Sequence, residues 1–235
     1  LTTMGRAFSD TDLKVPDGRR AAWRALMLGD HGALRLFYDN THTIDPGRLW
    51  RTYQPSPDHL KRWHERHQIR TVINLRGETP AGHYILEREA CARLGMTLVN
   101  FKVYSREAPT PKIIHDAAKL FASITYPAIM HCKSGADRAG MMAVLYSFFE
   151  MGMPLDKAMA HLSWRYGHVR QGKTGVIDHA FDLYVTHARA RGTALDDKDA
   201  FLRWIDDGYD PVAIKAAFLS TWWGRLLTDR ILNRE

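Results

Sequence analysis

Pro127-Ala128-Ile129-Met130-His131-Cys132-Lys133-Ser134-Gly135-Ala136-Asp137-Arg138 joins a short apolar run to residues 139–150, which are patterned as a helix. A strand, a loop and a helix in that order put the loop at the carboxyl end of a strand. Open α/β sheets hold their ligands there. The start of a helix directs several backbone N–H groups at one spot, and the helix dipole adds partial positive charge. Such a nest suits a phosphate dianion. Arg138 offers a planar fork for two phosphate oxygens, and Cys132 is a nucleophile beside it. A cysteine after a strand is often only a small buried hydrophobe. His131, Gly135, the strand and the helix favour the chemical reading.

Working outward, Arg48 to Tyr53 reads as a short strand, and Ser56-Pro57 as the N-cap and first residue of a helix running to about Gln68. Ile69 to Leu75 is a buried strand ending at Arg76-Gly77, followed by a helix from His83 to Leu94 closed by Gly95. Thr97 to Val103 is the next strand, and Thr110-Pro111 opens a helix running to about Ile124. After the loop the pattern is helical over 139–150, 155–166, 175–191, 196–206 and 211–232. Alternation of this kind predicts an α/β fold, a mainly parallel sheet of four to five strands flanked by helices. The expected organisation is an N-terminal helical extension (1–44), a central domain (45–191) and a C-terminal helical extension (192–235).

The chain has 235 residues, 45% hydrophobic and 25% charged, which fits a globular protein. A formal charge of +7 favours an anionic partner. Two cysteines, Cys91 and Cys132, argue for a reducing compartment rather than a disulfide framework. Leu1 to Phe8 lacks the apolar run of a secretory signal, so the expected location is cytoplasmic. Two aromatic-basic segments stand at the ends. One is 19–38, with Trp23, Leu26, Met27, Leu34, Leu36 and Phe37; the other is 211–232, with Trp222, Trp223, Arg225, Leu226 and Leu227. They either pack on the domain or contact an anionic membrane surface or a partner.

The loop resembles the Cys-x5-Arg signature of the protein tyrosine phosphatase superfamily. Leu49 to Ser56 and Val72 to Glu78 are similar to bacterial and plant–fungal atypical dual-specificity phosphatases, as is the segment 164–181 with His168-Val169-Arg170-Gln171. The resemblance covers residues 45–190. It implies a phosphocysteine mechanism with Cys132 as nucleophile and Arg138 as phosphate clamp, without metal or cofactor. Lys133 is placed as in tensin-type lipid phosphatases, and Asp137 as in myotubularins, where that position supplies the acid. The rival acid is Glu107, in the loop Tyr104 to Pro109 that follows a strand; the plain readings are a helix cap for Asp137 and a surface carboxylate for Glu107. Lys133, Ser134, Gly135, Ala136, Ala139 and Gly140 are candidates for binding phosphate or substrate, with Arg76 and Glu78 at the border. Arg170 stands in a downstream basic cluster with Arg165, His168 and Lys173, which meets the rest of an anionic substrate or is a solvated helix face. Ala139 departs from the superfamily, which places Ser or Thr there to help the thiolate leave.

The expected substrate is a phosphorylated lipid, glycolipid or inositol phosphate, with phosphotyrosine protein as the alternative. A phosphate-sensing module that has lost turnover and a rhodanese-like sulfur-transfer protein are readings of other classes. Nucleic acid is not an expected partner. The histidines do not form a metal site, because His64-Glu65-Arg66-His67 lacks the i, i+4 spacing that places two imidazoles on one helical face. Gly172-Lys173-Thr174 lacks the preceding glycine spacing of a nucleotide loop.

Overall fold

The computed structural model describes residues 6–29 and 39–232, with side chains as far as Trp222. Leu34, Leu36 and Phe37, and the side chains of Trp223, Arg225, Leu226 and Leu227, therefore lie outside the described residues. Contacts divide the chain into two units, Leu1–Lys102 with Ile124–Ala139 and Val103–Ser123 with Gly140–Glu235.

The first unit holds one sheet of five strands: β1 (His42–Asp45), β2 (Leu49–Thr52), β3 (Thr71–Asn74), β4 (Thr97–Asn100) and β5 (Ala128–His131). Their order is β1-β2-β5-β3-β4. β5 is the central strand and pairs in parallel with both β2 and β3, and β3 pairs in parallel with β4. Only β1 runs antiparallel, on the outer edge of β2. Every residue of β2, β3 and β5 is buried, as expected for parallel strands covered on both faces. The mainly parallel sheet expected from the sequence is present, with five strands.

Among its described residues this unit carries the α-helices α1 (Asp10–Lys14), α2 (Pro16–Arg24), α3 (Pro57–His67) and α4 (Gly82–Leu94). α3 begins as its sequence predicts. Ser56 is the N-cap and accepts from the His59 amide at 3.2 Å, with Pro57 following. α4 ends on Gly95 in the left-handed conformation (φ 68°). Trp50, Leu60, Ile69, Val72, Ala90, Cys91, Met96 and Ile129 form the core between the sheet and these two helices. Phe8, Leu13, Ala22 and Leu26 pack against Tyr84, Ile85 and Leu86 of α4. Arg19 adds a two-pronged ion pair to Glu89 at 2.6 and 2.8 Å.

The second unit is helical. It contains α5 (Pro111–Ser123), α6 (Asp137–Phe149) from Gly140 onward, α7 (Leu155–Ala158), α8 (Val176–Ala190), α9 (Lys198–Asp207) and α10 (Pro211–Leu232). Its core is aromatic, with Phe148 and Tyr184 meeting Phe201 edge-on at 5.1 and 4.9 Å. A buried pair, His168 Nε2 to Asp178 Oδ2 at 2.6 Å, ties the segment before α8 to its first turn. No helix among the described residues is long and apolar enough to cross a membrane.

One local expectation is corrected, and one strand was not expected. The helix expected over 155–166 is only the single turn of α7, followed by 3-10 turns at Met159–His161 and Trp164–Tyr166. Leu162 leaves helical geometry (ψ 71°) and is buried, so tertiary packing overrides local propensity. β1 gave no sequence signal because His42-Thr43-Ile44-Asp45 carries one apolar residue. Its pairing with β2 across a turn containing Gly47 (φ 76°) makes it a strand.

Candidate active site

Cys132 leaves the sheet at the carboxyl end of its central strand. His131 is in register with Thr52 on one side and Asn74 on the other. Three parallel strands therefore stop at one level, and the ends of β2 and β3 flank the loop.

The loop is held through its carbonyls. The Lys133 carbonyl accepts from the Gln54 amide at 3.3 Å, and that of Ser134 from Asn40 Nδ2 at 2.9 Å. The carbonyls of Gly135 and Ala136 both accept from one guanidinium nitrogen of Arg51, each at 2.7 Å. Four consecutive carbonyls thus face anchors in residues 40–54. A trans peptide sets N–H opposite C=O, so the amides of Ser134, Gly135, Ala136 and Asp137 face the other side of the loop. α6 begins at Asp137, and its first-turn amides have no intrahelical acceptor. The result is a row of amides turned to one side between Cys132 and Arg138, the construction of an anion nest.

Arg51 is fully buried, which is costly for a charge unless its hydrogen bonds are made. Alternation along β2 sends Trp50 to the α3–α4 core and Arg51 to the opposite face, under the loop. Gly135 lies directly above. Its φ of +76° is left-handed, and a Cβ there would stand 2.9 Å from the Thr52 carbonyl carbon.

A second set of contacts runs beneath the nucleophile. His131 and Glu87 are fully buried, with His131 Nε2 2.5 Å from Glu87 Oε1. The other Glu87 oxygen accepts from Gln54 Nε2 at 3.0 Å, and Gln54 Oε1 accepts from Arg76 Nη1 at 2.7 Å. Arg76 is further fixed by its own amide, which donates to Asn74 Oδ1 at 2.9 Å.

The candidate residues fall into two groups. Cys132, Lys133, Ser134, Gly135, Ala136, Asp137, Arg138, Ala139 and Arg76 are all in the first unit. Cys132 and Ala139 are buried, Lys133, Asp137 and Arg138 are half-buried, and Ser134 is exposed. Gly140, Glu107 and Arg170 belong to the second unit. There the Glu107 carboxylate accepts from Lys215 Nζ at 2.5 Å, and Arg170 is ion-paired with Asp182. Glu78 is exposed at the surface, 3.9 Å from Arg88. Burial, and secondarily the Glu87 carboxylate, push the Cys91 thiol up, so this second cysteine is poorly suited to act as a thiolate. Among the described residues no group of three or more His, Cys, Asp or Glu is arranged to hold a metal ion.

Sequence reasoning missed Asn40, Arg51, Gln54 and Glu87. A signal for Arg51 existed: a charge inside a strand whose other residues read as core. Glu87 gave none, since a glutamate in a helix is ordinarily solvated.

A family described as DSP-PTPase phosphatase fused to NAD+ kinase, PTP-NADK, matches residues 37–174. No curated protein matches the sequence. Among solved structures, TpbA of P. aeruginosa is similar at 17% identity and a TM-score of 0.49, over 71% of this chain and 89% of that one. PTPMT1 is similar at 16% identity and a TM-score of 0.47, over 64% and 99% of the two chains. Human DUSP28 is similar at 13% identity and a TM-score of 0.40, over 52% and 78%.

Proposed function

The chain belongs to the PTP-NADK family of DSP-PTPase phosphatases, and on that premise we propose that the loop at 131–138 hydrolyses phosphate monoesters through a phosphocysteine on Cys132. The observation that carries this reading is the row of four carbonyls held by Gln54, Asn40 and Arg51, which turns the loop amides to the opposite side, toward a phosphate.

The Cys132 thiolate attacks phosphorus, forming a P–S bond as the ester P–O bond breaks. The leaving oxygen takes a proton from Asp137. Water then attacks the phosphocysteine, the P–S bond breaks, the thiolate returns and Asp137 regains a proton. Arg138 and the loop amides carry the charge on the equatorial oxygens, which move little between ground and transition state. Asp137 is preferred to Glu107 because it sits in the loop itself, while the Glu107 carboxylate is taken by Lys215. Ala139 supplies no hydroxyl to the departing thiolate, so the second step is expected to limit turnover.

Lys133 beside the nucleophile and the net charge of +7 favour a substrate with more than one anionic group, a phosphorylated lipid, glycolipid or inositol phosphate. The DSP-PTPase description of the family favours a phosphoprotein as the second reading.

Hydrolysis of a small aryl phosphate in the presence of a chelator tests the assignment. Wild type is expected to turn over and Cys132→Ser to lose activity by about a thousandfold or more. Asp137→Asn is expected to spare good leaving groups and to slow alkyl phosphates. Turnover that survives Cys132→Ser, or that the chelator abolishes, contradicts the proposal.

A further inference from the structure

Arg76, Gln54, Glu87 and His131 form a single chain of hydrogen bonds at 2.7, 3.0 and 2.5 Å, ending on the residue before the nucleophile. With Glu87 as a carboxylate, the chain has one polarity. A guanidinium only donates, so the atom of Gln54 that meets Arg76 is its oxygen. The Gln54 amide nitrogen then faces Glu87, whose carboxylate accepts at one oxygen. The other carboxylate oxygen also accepts, which requires a proton on His131 Nε2. The loop is bracketed as well, since the backbone amide of Gln54 holds the Lys133 carbonyl at 3.3 Å, on the other side of Cys132.

Resting on the phosphatase reading above, we propose that Glu87 and Gln54 are positioning residues that set the tautomer of His131 from the guanidinium of Arg76. His131 Nδ1 lies 3.5 Å from the Cys132 carbonyl. With Nε2 as donor to Glu87, the chain does not require Nδ1 to bond to that carbonyl. With Nε2 as acceptor, the proton sits on Nδ1 and draws the Cys132 carbonyl toward the imidazole. The Cys132–Lys133 peptide would turn, and with it the Lys133 amide that leads into the nest. A buried carboxylate that fixes a histidine tautomer is a known device at catalytic sites. Here it acts on the backbone of the loop rather than as a proton acceptor from substrate.

Glu87→Gln separates this role from packing, since the two side chains have nearly the same shape. With Arg76 still ordering Gln54, the residue at 87 presents its oxygen to Gln54 and its NH2 to His131, forcing the imidazole to accept. The exchange Glu87→Gln with Gln54→Glu restores the original order. Glutamate at 54 accepts from Arg76 and from the amide at 87, whose oxygen again accepts from His131 Nε2.

The experiment combines nitrogen-15 spectra of the His131 ring with aryl phosphate kinetics on the full chain. Wild type is expected to show Nε2 protonated, Glu87→Gln to show Nε2 unprotonated with kcat lowered by about 10- to 100-fold, and the exchange to recover both. Wild-type kinetics or an unchanged ring in Glu87→Gln overturns the proposal. So does a folded exchange variant that stays inactive, or failure of the exchange variant to fold, because it keeps every donor and acceptor. The ring spectra report on the chain even if wild type proves to have no Cys132-dependent turnover, an outcome that would reject the phosphatase reading alone.

Discussion

Arg51→Met is expected to lower kcat/KM for an aryl phosphate by about 100- to 1,000-fold and to destabilise the first unit by about 3 kcal/mol. The substitution keeps most of the apolar stem but leaves the carbonyls of Gly135 and Ala136 buried without their 2.7 Å partner. Each such loss costs about 1–3 kcal/mol. Freed carbonyls are also able to rotate, and each rotation turns an amide of the nest away from the phosphate. Arg51→Lys keeps the charge but not the fork and is expected to fall between wild type and Arg51→Met. Steady-state kinetics and denaturant unfolding measure both effects. Full activity in a folded Arg51→Met protein would mean that the loop holds its shape unaided.

Gly135→Ala is expected to lower stability and turnover together. The left-handed φ costs an alanine about 1–2 kcal/mol. The clash at 2.9 Å with backbone adds about 1–3 kcal/mol of overpacking. Thr52 has little room to yield, because it is paired with His131 of the central strand. The loop must move instead, and activity is expected to fall with stability. Gly95→Ala is the matched control. Its φ is +68°, but nothing stands within 4 Å of the added carbon, so only the conformational cost applies and turnover stays normal. Thermal melts and kinetics of the two variants, side by side, separate backbone strain from the close approach to β2.

The strand–loop–helix unit was legible in the sequence because each part is local. An apolar run, a glycine and a helix start within about 25 residues suffice to place Cys132 and Arg138 together. The caps at Ser56 and Gly95 were legible for the same reason. What supports the loop was not, because it is assembled from distant segments. Asn40 and Arg51 reach residues 134–136 across more than 80 positions, and Glu87 meets His131 across 44. No periodicity encodes such a pairing. Glu107, expected as the rival acid, and Arg170, expected to meet the substrate, are also joined to distant segments. In the second unit their charges are paired with Lys215 and Asp182.

The central claim is that Cys132 carries the phosphoryl group. Acid-quenching the enzyme during turnover of an aryl phosphate, followed by mass analysis of its peptides, tests it directly. The peptide containing Cys132 is expected to gain one phosphoryl group, accumulating because Ala139 leaves the second step slow, and Cys132→Ser is expected to show none. A quenched protein without phosphocysteine under full turnover, or with the phosphoryl group on another residue, would contradict the account.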